Sequence, residues 1–262
     1  MKKYAYYHIY LTEEIGTWAM YILDNFKKME DSGLADELEN IYISVIGNEN
    51  SIALSKSLTE CLSSKYIFTP FVNTFDNDRH LATYDQNSSK NVNENVTIKM
   101  LYDHACREDA FFLYNHSKAI TTFEKLLKHG HVDQFINNFY WKEFLLWGVI
   151  DEWEKCVKAL DVYYDVAGAN FFNVPEPHYS GNIWWSKSSH LKKLPEPTND
   201  DWWFSMKNNH WDKWFKDCDI RYKDEMWLCS IKDTKVFNLK DVENLVGTRN
   251  LGWRRTPKKL YA

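Results

Sequence analysis

Hydrophobic and polar positions divide the chain into segments of different period. Residues 4–11, YAYYHIYL, are aromatic and β-branched and stop at Thr12-Glu13-Glu14, which predicts a strand running into a helix start. Ile15, Trp18, Ile22, Phe26 and Met29 then recur at three- and four-residue steps, the apolar face of a helix that ends near Gly33. IYISVIG at 41–47 and YIFTPFV at 66–72 predict two more strands, with Pro70 marking the latter as a strand end or an edge. Residues 73–93 carry no hydrophobic period and predict a long polar loop. A helix from Val96 to Arg107 leads into a buried strand at 110–115.

Farther along, residues 135–160 predict one long helix and 161–172 another strand. Then come HYSGNIWWSK at 178–187, a break at KKLPEP, an aromatic stretch, and RYKDEMWLCSI at 221–231, whose Glu225 begins a helix or stands in an aromatic wall. Strand, helix, strand, strand, helix, strand is the order of an α/β fold, a Rossmann-like mixed sheet with helices on both faces. No internal repeat or linker interrupts it, so residues 1–262 are expected to form a single domain.

Composition changes this picture in one respect. Hydrophobic residues at 44% and charged residues at 26% are ordinary, but aromatic residues reach 16%. Of the 12 tryptophans only Trp18 precedes residue 141, so the second half is either ring-packed core or a platform for a flat ligand or a sugar face. A formal net charge of −5 argues against a nucleic-acid partner, and RRTPKK at 254–259 is the only basic cluster. Five dispersed cysteines without a C-x-x-C pair suggest neither a disulfide framework nor a thiolate zinc site. Without a signal sequence or an apolar run of about 18 residues, a soluble cytoplasmic chain with no transmembrane segment is expected.

Ligands of open α/β sheets bind beyond the carboxyl ends of the strands, here Thr12, Gly47, Asn73, Asn115 and the Gly168–Asn170 region. After the fourth strand, His116, Ser117 and Lys118 offer two directional donors and a fixed charge that suit a diphosphate, or else make a polar turn. Asp76-Asn77-Asp78 is a literal D-x-D, able to share a divalent cation, in a loop that also favours Asp and Asn for turn chemistry. In HYSGNIWWSK, Gly181 permits a tight turn, and Ser180 and Asn182 offer hydrogen bonds to hydroxyl groups. Trp184 and Trp185 in an extended segment point to opposite faces, so at most one lines a pocket. His178 could position a phosphate or a hydroxyl. Glu225 could accept a proton from a sugar hydroxyl or pair with Arg221.

LYNHSKAI, WKEFLLWGVIDEWEKCVKALDVYYDVAGAN, HYSGNIWWSKSSHLKKLP and RYKDEMWL together resemble a family of glycosyltransferase domains found in large algal viruses and bacterial polysaccharide loci. The likeness covers roughly residues 94–230, and YHIYLTEEIGTW is similar to the opening of virus-encoded members with a GT-A fold. The resemblance implies a GT-A-like fold and transfer from a nucleotide-diphosphate sugar, a UDP-sugar above others, to a glycan or glycoprotein hydroxyl. Residues 1–120 would hold the nucleotide, and the aromatic half, 121–262, the donor sugar and acceptor.

In that reading Thr12, Asn115, His116, Ser117, Lys118, His178, Ser180, Gly181, Asn182 and Trp185 bind the nucleotide sugar, and Glu225 is the general base. His116-Ser117-Lys118 stands where many GT-A enzymes carry their D-x-D, and Ala119 replaces the family's frequent glycine. Either Asp76 and Asp78 hold Mn²⁺ or Mg²⁺, or Lys118 and His116 take over the charge in a metal-independent mechanism. The alternative is an inactive GT-A-fold protein that binds carbohydrate or nucleotide without transferring it.

Overall fold

The computed structural model describes residues 1–12, 15–62, 64–72, 94–117, 128–130, 132–210, 215–216 and 222–239. The chain runs β1 (Lys2–Tyr10), α1 (Ile15–Asp31), a short α2 (Leu34–Glu37), β2 (Asn40–Gly47), α3 (Glu49–Glu60), β3 (Tyr66–Val72), α4 (Asn95–Arg107) and β4 (Ala110–His116). It continues through α5 (Val132–Leu146), a π-helical turn (Trp147–Asp151), α6 (Trp153–Val162), β5 (Val166–Gly168), β6 (Phe171–Phe172), β7 (His178–Tyr179) and β8 (Trp184–Lys187). Last come α7 (Ser188–Leu191), α8 (Asp201–Asn209), α9 (Tyr222–Trp227) and β9 (Val236–Asn238).

Among the described residues, seven strands form one sheet in the order β3-β2-β1-β4-β8-β5-β9, and β6 and β7 make a separate ribbon. β1 pairs in parallel with β2 and β4, β2 with β3, and β5 with β9, whereas β8 runs antiparallel to β4 and β5. This is a mixed, mostly parallel, Rossmann-like α/β fold.

The sheet separates two cores, and strand alternation assigns each residue to one of them. Ala5, Tyr7 and Ile9 of β1, Phe111 and Leu113 of β4, and Trp185 of β8 join the core under α1, α5 and α6. Tyr4, Tyr6, Phe112, Tyr114 and Trp184 join the core under α4 and α9. The aromatic surplus is largely this packing: Trp18, Trp184, Trp185, Trp203 and Trp227 are among the largest fully buried side chains. β1 and β4 are buried on both faces, as central parallel strands require.

Four local expectations change. α3 lies between β2 and β3, and its buried face is Ser51, Ile52, Ser55 and Thr59, so apolar periodicity could not announce it. Ile15 is 48% exposed, so the buried stripe of α1 starts at Trp18. The long helix at 135–160 is broken by the π-helical turn, where Gly148 packs so tightly that an added Cβ would lie 2.5 Å from that of Ala169. Two carbonyls of that turn are taken by side chains: Gly148 O accepts from Cys156 Sγ at 3.2 Å, and Val149 O from Trp185 Nε1 at 2.8 Å. The strand expected over 161–172 shortens to β5 and β6, separated by Asn170 at a left-handed φ of 66°. Pro70 does mark an edge, since β3 is the outermost strand.

Candidate functional site at the ends of β1 and β4

From β1 the chain passes through α1 to β2, and later returns across the sheet through α4 to β4 on the other side of β1. The carboxyl ends of β1 and β4 therefore flank the crevice where strand order reverses, the usual ligand position in open α/β sheets. The two ends are stitched together. Ser117 N donates to His8 O at 2.8 Å, and Tyr10 N donates to Ser117 Oγ at 2.9 Å. Thr12 follows directly and is buried.

A tight turn closes the site from the C-terminal half. Asn182 N donates to Tyr179 O at 2.9 Å, with Gly181 at φ 99° and Asn182 at φ 51°. A positive φ at the third residue is what a type II turn demands, and glycine meets it without a Cβ clash. Ser180 N donates to Asn170 O at 3.0 Å, which ties the turn to the β5–β6 bend. His116 Nε2 donates to Gly181 O at 2.7 Å, so the end of β4 holds the apex of the turn.

Glu94, immediately before α4, joins these parts. Its Oε2 accepts from Asn182 Nδ2 at 2.7 Å and from Tyr114 Oη at 3.1 Å, and its Oε1 lies 3.1 Å from His116 Nδ1. Asn182 Oδ1 in turn accepts from Trp184 Nε1 at 2.8 Å. His8, opposite His116 in the β1–β4 register, sits 2.8 Å from Thr97 Oγ1 through Nδ1. Burial holds the His8 imidazole down to about 4, with the Glu94 charge opposing and the His116 charge adding to the effect. On α9, burial pushes the Asp224 carboxyl well above the usual range. The Glu94 charge adds to this, while Lys223 and the Asn95 backbone N–H oppose it. Burial likewise raises the Tyr114 phenol, which remains a donor.

The structure thus brings His116, Ser117, Gly181 and Asn182 together. Asn115 points to the opposite face, where its Nδ2 donates to Asn25 Oδ1 at 2.8 Å beneath α1. Trp185, expected to line the site, is fully buried with its indole on the π-helical turn, so its part is to anchor β8. His178 donates through Nδ1 to Glu176 O at 2.7 Å and stacks on Phe172, in the ribbon beside α9. Ser180 and Glu225 are both partly exposed, Glu225 one residue beyond Asp224. Lys118, Asp76 and Asp78 lie outside the described residues, as do Arg221 and the basic segment 254–259. Among the described residues no group of three His, Cys, Asp or Glu side chains is arranged to hold a metal ion. None of the described helices is long and apolar enough to cross a membrane.

Sequence reasoning passed over Glu94, His8 and Asp224. Asp224 offered the clearest available signal, a carboxylate one residue before Glu225 and just ahead of the apolar Met226-Trp227-Leu228. A family model described as a domain of unknown function, DUF8361, matches residues 6–235. A search of curated proteins gave no match.

Proposed function

The chain belongs to the DUF8361 family, and from the geometry of its own site we propose that it is a glycosyltransferase using a nucleotide-diphosphate sugar. One observation carries the reading: the end of β4 and the Ser180-Gly181-Asn182 turn, distant in sequence, meet at the reversal point of a Rossmann-like sheet, with His116 Nε2 2.7 Å from Gly181 O. This supports a site divided as the resemblance implies, with the nucleotide over the ends of β1 and β4 and the sugar against the turn. The fold would then be of the GT-A type, the donor a UDP-sugar and the acceptor a glycan or glycoprotein hydroxyl.

In this proposal Glu225 takes the proton of the acceptor hydroxyl as that oxygen bonds to the anomeric carbon. The carbon–oxygen bond to the diphosphate breaks, and its electron pair leaves with the diphosphate. Asp224 does not suit the role of base, because burial favours its protonated form. Both ring nitrogens of His116 are engaged within the protein, which leaves Lys118 as the proposed charge for the diphosphate. The residues on which a Mn²⁺ or Mg²⁺ ion is proposed are Asp76 and Asp78, where the metal would neutralise phosphate charge.

Thermal unfolding against nucleoside diphosphates and nucleotide sugars, each with and without Mn²⁺ or Mg²⁺, tests the reading. A ligand at about 100 times its Kd adds about 2.7 kcal/mol to stability, a visible midpoint shift. No shift with any of them removes the nucleotide-sugar assignment. The alternative of an inactive binding protein has its own support, since the end of β4 carries no carboxylate pair and His116 is already engaged. A shift without slow hydrolysis or transfer of the bound sugar selects that alternative. Glu225→Gln is expected to abolish transfer while leaving donor binding nearly unchanged.

A further inference from the structure

Glu94 belongs to neither the strands nor the glycine turn, yet its two oxygens reach both. The hydrogen bonds around His116 constrain where the protons lie. Gly181 O can only accept, so Nε2 carries a hydrogen. A neutral ring has one N–H and would present a lone pair from Nδ1 to the Glu94 carboxylate at 3.1 Å. A second proton therefore lies between Nδ1 and Oε1. Two donors already converge on Oε2, which favours the ionised carboxylate and places that proton on the ring.

The titratable groups around the pair are consistent with this arrangement. From β1, His8 stays neutral, with the His116 charge one contributor. From α9, burial pushes the Asp224 carboxyl up, with the Glu94 charge adding to it, and Lys223 is tied to Asp200 at 2.5 Å. From β4, Tyr114 donates to Glu94 and stacks on the His116 ring at 6.2 Å.

We propose that Glu94 is the positioning residue of the site, and that its charge, through the proton it keeps on His116, holds the Ser180–Asn182 turn in ligand-binding form. The proposal rests on reading that turn as the sugar-binding element. Its consequence is a turn that is firm at neutral pH and loosens in alkali, when Nδ1 loses its proton and faces Glu94 with a lone pair.

Glu94→Gln tests the charge at nearly constant shape. Its amide oxygen can accept from Asn182 and Tyr114, and its NH₂ can donate to Nδ1 of a neutral His116. The lock then holds in alkali and fails in acid, reversing the pH profile. The readouts are ring ¹⁵N NMR of His116, hydrogen exchange at the Asn182 amide, and the KM for a UDP-sugar across pH. In the wild type both ring nitrogens are expected to be protonated at neutral pH, and alkali to speed Asn182 exchange about tenfold. A neutral wild-type His116 overturns the proposal, even if the variant fails to fold. So does an exchange profile in Glu94→Gln that matches the wild type, the result that mere packing by this side chain would give. A wild-type protein that shows the NMR and exchange behaviour but binds no nucleotide sugar retains the lock and discards the glycosyltransferase reading.

Discussion

Replacing Gly181 with alanine challenges the turn at its most constrained atom. An added Cβ would lie 2.4 Å from Leu145 Cδ1 and 3.4 Å from Trp141 Cζ2, and the backbone stands at φ 99°. Two costs of different origin follow. The backbone conformation, foreign to L-residues, costs about 1–3 kcal/mol. The clash costs about another 1–3 kcal/mol, because Leu145 is 1% exposed and its methyl has no solvent to move into. Gly181→Ala should therefore destabilise by about 2–6 kcal/mol, read as a lowered urea midpoint by fluorescence and circular dichroism together. Leu145→Ala alone should cost about 2–5 kcal/mol by leaving a cavity. In the double variant the new methyl occupies that space, so the clash disappears while the backbone cost remains. The two changes should then fall short of additivity by about 1–3 kcal/mol. Additivity within about 0.5 kcal/mol would refute contact between the turn and α5, and a cost below about 1 kcal/mol for Gly181→Ala would refute the left-handed backbone.

The remaining predictions concern charge. With the His8 imidazole held at about 4 against an unfolded value near 6.5, its contribution is full above the unfolded value and fades as the pH falls toward the folded one. The wild type should lose about 2 kcal/mol more than His8→Gln between pH 7 and pH 5 in guanidinium titrations, and parallel losses would contradict the burial of a neutral ring. Asp224 has the opposite sign: its folded form keeps a proton that the unfolded chain releases, so it costs increasing stability as the pH rises above the ordinary carboxylate range. Asp224→Asn should gain on the wild type with rising pH, and a constant difference from pH 5 to 8 would count against the raised carboxyl. Lys142→Met removes the buried ammonium that lies 2.9 Å from Asp24 and 4.4 Å from the centre of the Tyr21 ring. Because Asp24 is 41% exposed, the urea midpoint should report a loss of only about 1–3 kcal/mol, and no loss would exclude a pairing role.

What the sequence revealed followed where its side chains did the packing. β1, β2 and β4 could be read because aromatic and β-branched residues fill both cores, and α1 because its apolar stripe has a helical period. α3 was silent because it buries hydroxyls, and the π-helical turn because a single glycine at 148 decides it through contact with a residue 21 positions away, Ala169. At the site, Gly181 and Asn182 could be recognised because turn geometry selects such residues locally. Glu94 could not, since its partners Tyr114 and Asn182 stand 20 and 88 residues away and a single carboxylate closing a polar run has no spacing of its own. Trp184 and Trp185 could be assigned to opposite faces by alternation, but that both are fully buried depended on the helices packed against each face.

The position of β1 between β2 and β4 in the sheet has a consequence for the order in which the protein folds. β1, α1, β2, α3 and β3 pair with near neighbours and can close through short loops. The β1–β4 ladder joins residues more than 100 positions apart, Lys2 with Ala110 and His8 with His116, and β8 must then dock antiparallel on β4 from still farther along. Long closures incur their chain entropy before contacts repay it, so these pairings belong late on the folding path. The ends of β1 and β4, with the turn bonded to His116, are brought together only when the far half of the chain has docked, so the intact His116–Gly181 contact also reports that folding has finished.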